Sequence, residues 1–160
     1  MNVPASAPAS DETPPADELS LDELSLKEWV DRFSGHVANL RYRDAAAMMD
    51  PEVNSFSTWQ DVVVGVDHFV NGQWRNVWPT MTDFVLLTDK MRARVSADRL
   101  MAAVMVTWTS TGYHSDGTPF DRPGRCSFVL VRDSVDGPWR GVQGHFSLMR
   151  GVPQQSFGSR

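Results

Sequence analysis

The apolar residues of this chain change their period once, and that single change limits the folds open to it. Leu26, Trp29, Val30, Phe33, Val37 and Leu40 recur every three or four positions, and so do Val66, Phe69, Val70, Gln73, Trp74, Val77, Trp78 and Met81. Beyond Met81 the pattern alternates instead, which is the period of a strand with one buried face. Helices first and strands last predict an α+β fold, with N-terminal helices packed on one face of a curved antiparallel sheet. The first helix is expected to open on Ser25 and Glu28, a Ser-x-x-Glu capping box. A short helix over 43–49 should stop at Asp50-Pro51, followed by a strand over 53–59. Four long strands are expected over 83–96, 99–113, 124–132 and 138–150. Their turn signals are Ala97-Asp98, Ser115-Asp116-Gly117 and Asp136-Gly137-Pro138.

Alternation also says which side chains meet the helices. Ala102, Val104, Val106, Trp108 and Ser110 share one face, as do Cys126, Phe128 and Leu130, and then Val142, Gly144, Phe146 and Leu148. That even-numbered face is apolar on all three strands and is predicted to point inward. The odd face carries Met105, Thr107, Trp139, Gln143 and His145, too apolar to stay wet as one patch. A second copy of the chain is its expected cover, giving a homodimer through the outer sheet face.

Composition narrows the function classes. Residues 1–23 hold six acids and no Lys or Arg, leaving 14 acids against 15 bases in the remainder. A near-neutral body without a basic run argues against nucleic acid as a partner. Four prolines lie in the first fifteen residues among Ala, Ser and acids, so 1–20 reads as a disordered acidic tail. The domain proper is placed at 21–151, with a C-terminal tail over 152–160. Cys126 is the only cysteine, which excludes an internal disulfide and a Cys-rich metal site. The longest purely apolar run, 100–106, is too short to span a bilayer. No apolar stretch follows a basic N-terminus as a secretory signal requires, and the expected location is the cytoplasm.

The order helix, helix, strand, helix and long antiparallel strands resembles the nuclear transport factor 2-like superfamily. So does the closing run Asp136-Gly137-Pro138-Trp139-Arg140-Gly141-Val142-Gln143-Gly144-His145-Phe146-Ser147. It is similar to the last strand of ketosteroid-isomerase-like, SnoaL-like and calmodulin-dependent-kinase association-domain members, except that Gln143 stands where the association domains have a His. Gly65 and the strand over 124–132 also look like their counterparts there. The resemblance covers about 22–150 and implies a cone-shaped sheet wrapped around helices, with a pocket at the open end. It implies no single activity, since isomerases, cyclases, dehydratases and assembly modules share the fold.

Ketosteroid isomerisation needs a carboxylate base, a Tyr and a neutral acid. The matching positions fall near Ser57 or Phe56, Phe33 and Phe128, and none is ionisable. Acid–base chemistry would therefore have to come from Tyr42, Asp61 or His68 at the mouth of the cone, or from His145. Each has a plainer role open to it: a helix-dipole carboxylate for Asp61, a solvated first-turn residue for His68, an interface residue for His145. Phe33, Phe56, Trp59, Trp74, Trp78, Trp108, Phe128 and Phe146, with Ser110 as a polar group, are the expected lining of an apolar pocket. Arg122 and Arg125 are read as pairing with Asp116 and Asp121, or as holding an anion at the rim. Phosphate-binding glycine loops and a convincing metal triad are missing from the sequence, so no cofactor and no metal are expected. The reading is a SnoaL-like domain that binds an apolar or aromatic small molecule, open to cofactor-free isomerase, cyclase or dehydratase chemistry. The alternative is a non-catalytic association module.

Overall fold

The computed structural model describes residues 20–160. The tail reading falls almost wholly outside them. Helix α1 (Leu21–Ala38) begins five residues before the sequence pattern suggested, because the capping box is Ser20 with Glu23 rather than Ser25 with Glu28. The Ser25 hydroxyl lies inside the helix and donates to the Asp22 carbonyl. Helix α2 (Tyr42–Ala46) follows, then β1 (Met49–Phe56) and the two-residue β2 (Val63–Val64). The second periodic block is one helical run of changing pitch: α3 (Val66–Phe69), a π-turn (Val70–Trp74), α4 (Arg75–Val77) and a 3₁₀ turn (Trp78–Thr80). The strands β3 (Thr82–Leu86), β4 (Arg92–Val95), β5 (Met101–Tyr113), β6 (Pro119–Asp121), β7 (Gly124–Val131) and β8 (Arg140–Leu148) complete the fold. What reads as one strand over 83–96 is broken by a 3₁₀ turn at Thr88–Lys90.

All eight strands form one curved sheet with the path β2-β1-β8-β7-β5-β3, and β4 and β6 also pair with β5. This is the α+β cone. The sheet is mixed rather than purely antiparallel: β1 runs parallel to β8, with Ser55 opposite Gly144. The even face of β5 and β7 is buried as expected, and Val104, Phe128 and Leu130 are all but sealed under α1.

On β8 the parity rule fails at a definite place. A bulge between Val129 and Leu130 sets Val129 opposite Gln143 but Leu130 opposite Gly141. The extra residue reverses which parity faces the core. Trp139 therefore points inward and is buried, not on the outer face where simple alternation places it. Its indole Nε1 donates to the Ser25 hydroxyl at 2.9 Å, and its carbonyl accepts from Trp29 Nε1 at 3.1 Å. Gly141 lies against Met49 and Trp29, where a Cβ would collide with the thioether.

The narrow end of the cone is closed by an ion cluster that links distant parts of the chain. Asp22 Oδ1 and Oδ2 accept from Arg99 Nη2 at 3.0 Å and Nε at 2.6 Å. Arg132 Nη2 donates to the same carboxylate at 2.6 Å, and the Arg132 guanidinium lies 4.1 Å over the Trp139 ring. The Arg99 hydrogen bond, with Arg132 beside it, holds the Asp22 carboxyl down at a pKa of about 2.

Candidate functional site at the open end of the cone

Aromatic packing leaves little room inside. Phe33 is stacked on Trp29 at 5.6 Å and meets Trp74, Trp78, Phe128 and Phe146 at 5.5–6.5 Å between ring centroids. Trp74 and Trp78 stack at 4.5 Å. What remains among these rings is a cavity of about 30 Å³ beside Trp108, bordered also by Gln73, Met81, Phe84, Arg122 and Phe146. That volume holds a water or a small polar head, not an aromatic ring. A flat aromatic ligand therefore does not fit inside this cavity.

The cavity wall holds polar groups that sequence reasoning left in other roles. Arg122, between β6 and β7, is 3% exposed and turns into the cone, away from Asp116 and Asp121. None of the ion pairs among the described residues includes it. Its backbone is clamped by Ser110: Arg122 N donates to the Ser110 carbonyl at 2.8 Å, and the Ser110 hydroxyl donates to the Arg122 carbonyl at 2.7 Å. Among the described residues its one side-chain contact of hydrogen-bond type is Nη1 to the Met81 sulfur at 3.8 Å. Arg122 Nε, Trp108 Nε1 and Gln73 Oε1 are buried without any hydrogen-bond partner among the described residues. Gln73 sits in the π-turn, a widening of the helix that recurs at functional sites. As a polar residue on the apolar stripe of that helix, it was visible in the sequence. Arg122 lies on no such stripe, and the sequence left it two roles, pairing with Asp116 and Asp121 or holding an anion at the rim.

Outside this chamber lies an open groove of about 1280 Å³ between the 57–64 loop and the helical run from His68 to Gly72. Thr58 borders the groove, the interior cavity and a smaller gap beside Arg122, so all three spaces share this residue as a wall. The segment over 152–160 is laid across that wall. Gln154 Nε2 donates to the Thr58 carbonyl, and the Ser156 hydroxyl donates to the Thr80 carbonyl. Arg160 donates to the carbonyls of Ala38 and Trp78 at 2.7 and 2.9 Å.

The sequence-derived residues separate accordingly. Phe33, Trp74, Trp78, Trp108 and Phe146 line the interior cavity. Phe128 lies deeper, against Trp29 and Phe33. Ser110 faces inward but spends its hydroxyl on Arg122. Phe56 does not face the cone: β1 directs Val53 and Ser55 inward, and Phe56 is 47% exposed with His145 at its edge on the outer face. Trp59 stands in the groove rather than the cone. Asp61 and His68 border the same groove, both exposed, with no hydrogen bond between them. Tyr42 joins neither; it stacks on Trp78 at 5.2 Å under the Arg75 guanidinium, and burial raises the pKa of its hydroxyl. Burial also pushes the Cys126 thiol far above its ordinary range, so it serves as packing. Among the described residues, no three His, Cys, Asp or Glu side chains converge as a metal site would need, and no helix is long and apolar enough to cross a membrane.

No protein-family model matches the chain, and no curated protein sequence does. Solved structures do. A ketosteroid isomerase-like protein from Erwinia carotovora atroseptica superposes with a TM-score of 0.66 at 13% identity, over 82% of this chain and 98% of that one. A nuclear transport factor 2-like superfamily protein from Salmonella enterica gives 0.64 at 18% identity, over 84% and 96%. The association domain of C. elegans calmodulin-dependent kinase II gives 0.60 at 11% identity, over 78% and 94%.

Proposed function

We propose that this chain, which has the nuclear transport factor 2-like fold, is a small-molecule-binding module whose ligand enters at the open end of the cone. One observation carries the reading: an aromatic-lined interior cavity and a wide external groove lie on either side of Thr58, which borders both. A ligand with a slim body can lie in the groove along Trp59 and Val63 and place a small head inside, beside Trp108. Apolar contact with the groove and the rings supplies affinity, and the buried polar atoms fix orientation. Admission needs the Gln154–Thr58 contact to give way. Asp61 and His68 border the ligand body but stand apart in water, which favours binding over acid–base turnover in this site.

The test is a nitrogen-edited spectrum of the six indole N–H groups, titrated with small neutral and charged organic probes. Trp59, Trp78 and Trp108 should shift in a saturable way, while Trp29 and Trp139 at the closed end stay fixed. Shifts confined to the closed end, or none for any probe, overturn the reading. The outer sheet face is proposed as the surface for a second copy, on the strength of Phe56, Met101 and Met105, which are 47%, 50% and 62% exposed. Sedimentation at micromolar concentration should give a dimer, and Met105→Lys a monomer. A monomeric wild type rejects the pairing.

A further inference from the structure

We propose that the head group received inside the cone is a carboxylate, held by Arg122, Trp108 and Gln73. The inference rests on the binding reading above and specifies its ligand class. An arginine stays charged in any protein setting, and a buried charge is tolerated where something of opposite sign compensates it. Arg122 is 3% exposed; the Met81 sulfur and aromatic rings lie on its cavity side, and the neutral groups of Thr58, Thr80, Gln154 and Ser156 border the gap on its other side. No carboxylate among the described residues lies within 4.0 Å of it. The missing partner is therefore an anion from outside.

The donor set describes that anion. Arg122 Nε and Trp108 Nε1 are two N–H donors without a partner among the described residues, and both belong to side chains that line one small cavity. Gln73 adds an amide with no partner on its oxygen, and the same side chain turned over presents its NH₂ instead. A planar group with two acceptor oxygens matches two or three such donors, and Arg binds carboxylates in this forked way. A phosphate needs donors for three terminal oxygens and more than the roughly 30 Å³ present. A water fits by size and can accept both N–H groups, but it leaves the charge uncompensated. The rest of the molecule must leave past Thr58, so the ligand is a monocarboxylate with a slim apolar body.

Sodium butyrate and neutral butyramide, compared at fixed ionic strength, test this. Butyrate should shift the Trp108 indole resonance saturably and raise the melting temperature, with butyramide at least tenfold weaker. Arg122→Met should remove the butyrate response without lowering the melting temperature of the free protein, since it deletes an uncompensated buried charge. Should that variant fail to fold, Trp108→Phe keeps the ring, loses only the N–H donor, and should weaken butyrate several-fold while sparing butyramide. Equal responses to the two probes overturn the carboxylate assignment and leave the binding module standing. Silence of Trp108 toward both overturns the carboxylate assignment alone if other probes still shift Trp59 or Trp78, and overturns the two together if no probe shifts any open-end indole.

Discussion

Strand β7 has a buried arginine at each end, and the two are held in opposite ways. Arg132, 5% exposed, follows its last residue and gives its guanidinium to Asp22 and the Arg99 carbonyl, with the Trp139 ring beneath. Arg122, 3% exposed, stands two residues before its first, across Pro123, and among the described residues its guanidinium has only a sulfur. The same side chain at the same depth is a finished structural element at one end of the cone and an unmatched one at the other. The lesson is that burial of a charge does not mark a site; burial without a partner does. Near Arg122 the unpartnered atoms also cluster, which scattered packing defects would not do.

The comparison breaks if the two ends respond alike to loss of charge. Asp22→Ala strands Arg132 and should cost about 3–5 kcal/mol in urea unfolding, the usual penalty for leaving one member of a buried pair. Arg122→Met should cost nothing comparable. A loss of similar size at Arg122 would mean that its contacts already compensate it. The pH dependence sharpens the point. Asp22 is depressed from 3.8 to about 2, so its contribution is fully present above about pH 4 and fades as the pH falls through 2. Asp22→Asn should flatten the acid limb of the stability curve, and Arg122→Met should leave that limb unchanged.

The next effect lies at the join of Arg122 and β7. Gly124 lies directly on the indole of Trp108, so closely that an added Cβ would overlap the ring. Gly124→Ala must push Trp108 toward the cavity or move the strand, at a cost of about 1–3 kcal/mol for overpacking. Its signature is a displaced Trp108 indole resonance with the Trp29 and Trp139 signals unmoved. Movement at the closed end instead would show that the two halves of the core are not separable.

How much of this was legible in the sequence follows from what each feature depends on. The order of helices and strands, the inward face of β5 and β7 and the burial of Cys126 rest on local periodicity, and they read correctly. Trp139 was misplaced because one extra residue near Val142 reverses parity, and a bulge leaves no mark in an alternating pattern. Asp22 entered the sequence reading only as one of six N-terminal acids, because its partners lie 77 and 110 positions away. Arg122 sits in a short connection with no period, so nothing local says whether it faces solvent or core. Gln73 differs: a polar side chain on an otherwise apolar stripe was a visible signal, but the sequence reading counted it with the stripe.

The smallest effect tests where the domain begins, and with it how the closed end is fixed. The sequence reading assigned residue 20 to the tail, whereas the Ser20 hydroxyl accepts from Glu23 N at 3.2 Å and the Glu23 carboxylate accepts from Ser20 N at 2.9 Å. This reciprocal cap fixes the first turn of α1, which carries Asp22 toward Arg99 and Arg132. Ser20→Ala should cost about 1 kcal/mol, the ordinary value of a lost N-cap. Some of that loss should come through the ion cluster, so Ser20→Ala and Asp22→Asn should combine to less than the sum of their separate effects. Deleting residues 1–19 while keeping Ser20 should leave the melting temperature nearly unchanged. Deleting 1–20 should reproduce the Ser20→Ala loss. Full additivity of the two substitutions would separate the cap from the Asp22 cluster, leaving Arg132 oriented by Trp139 and the Arg99 carbonyl alone.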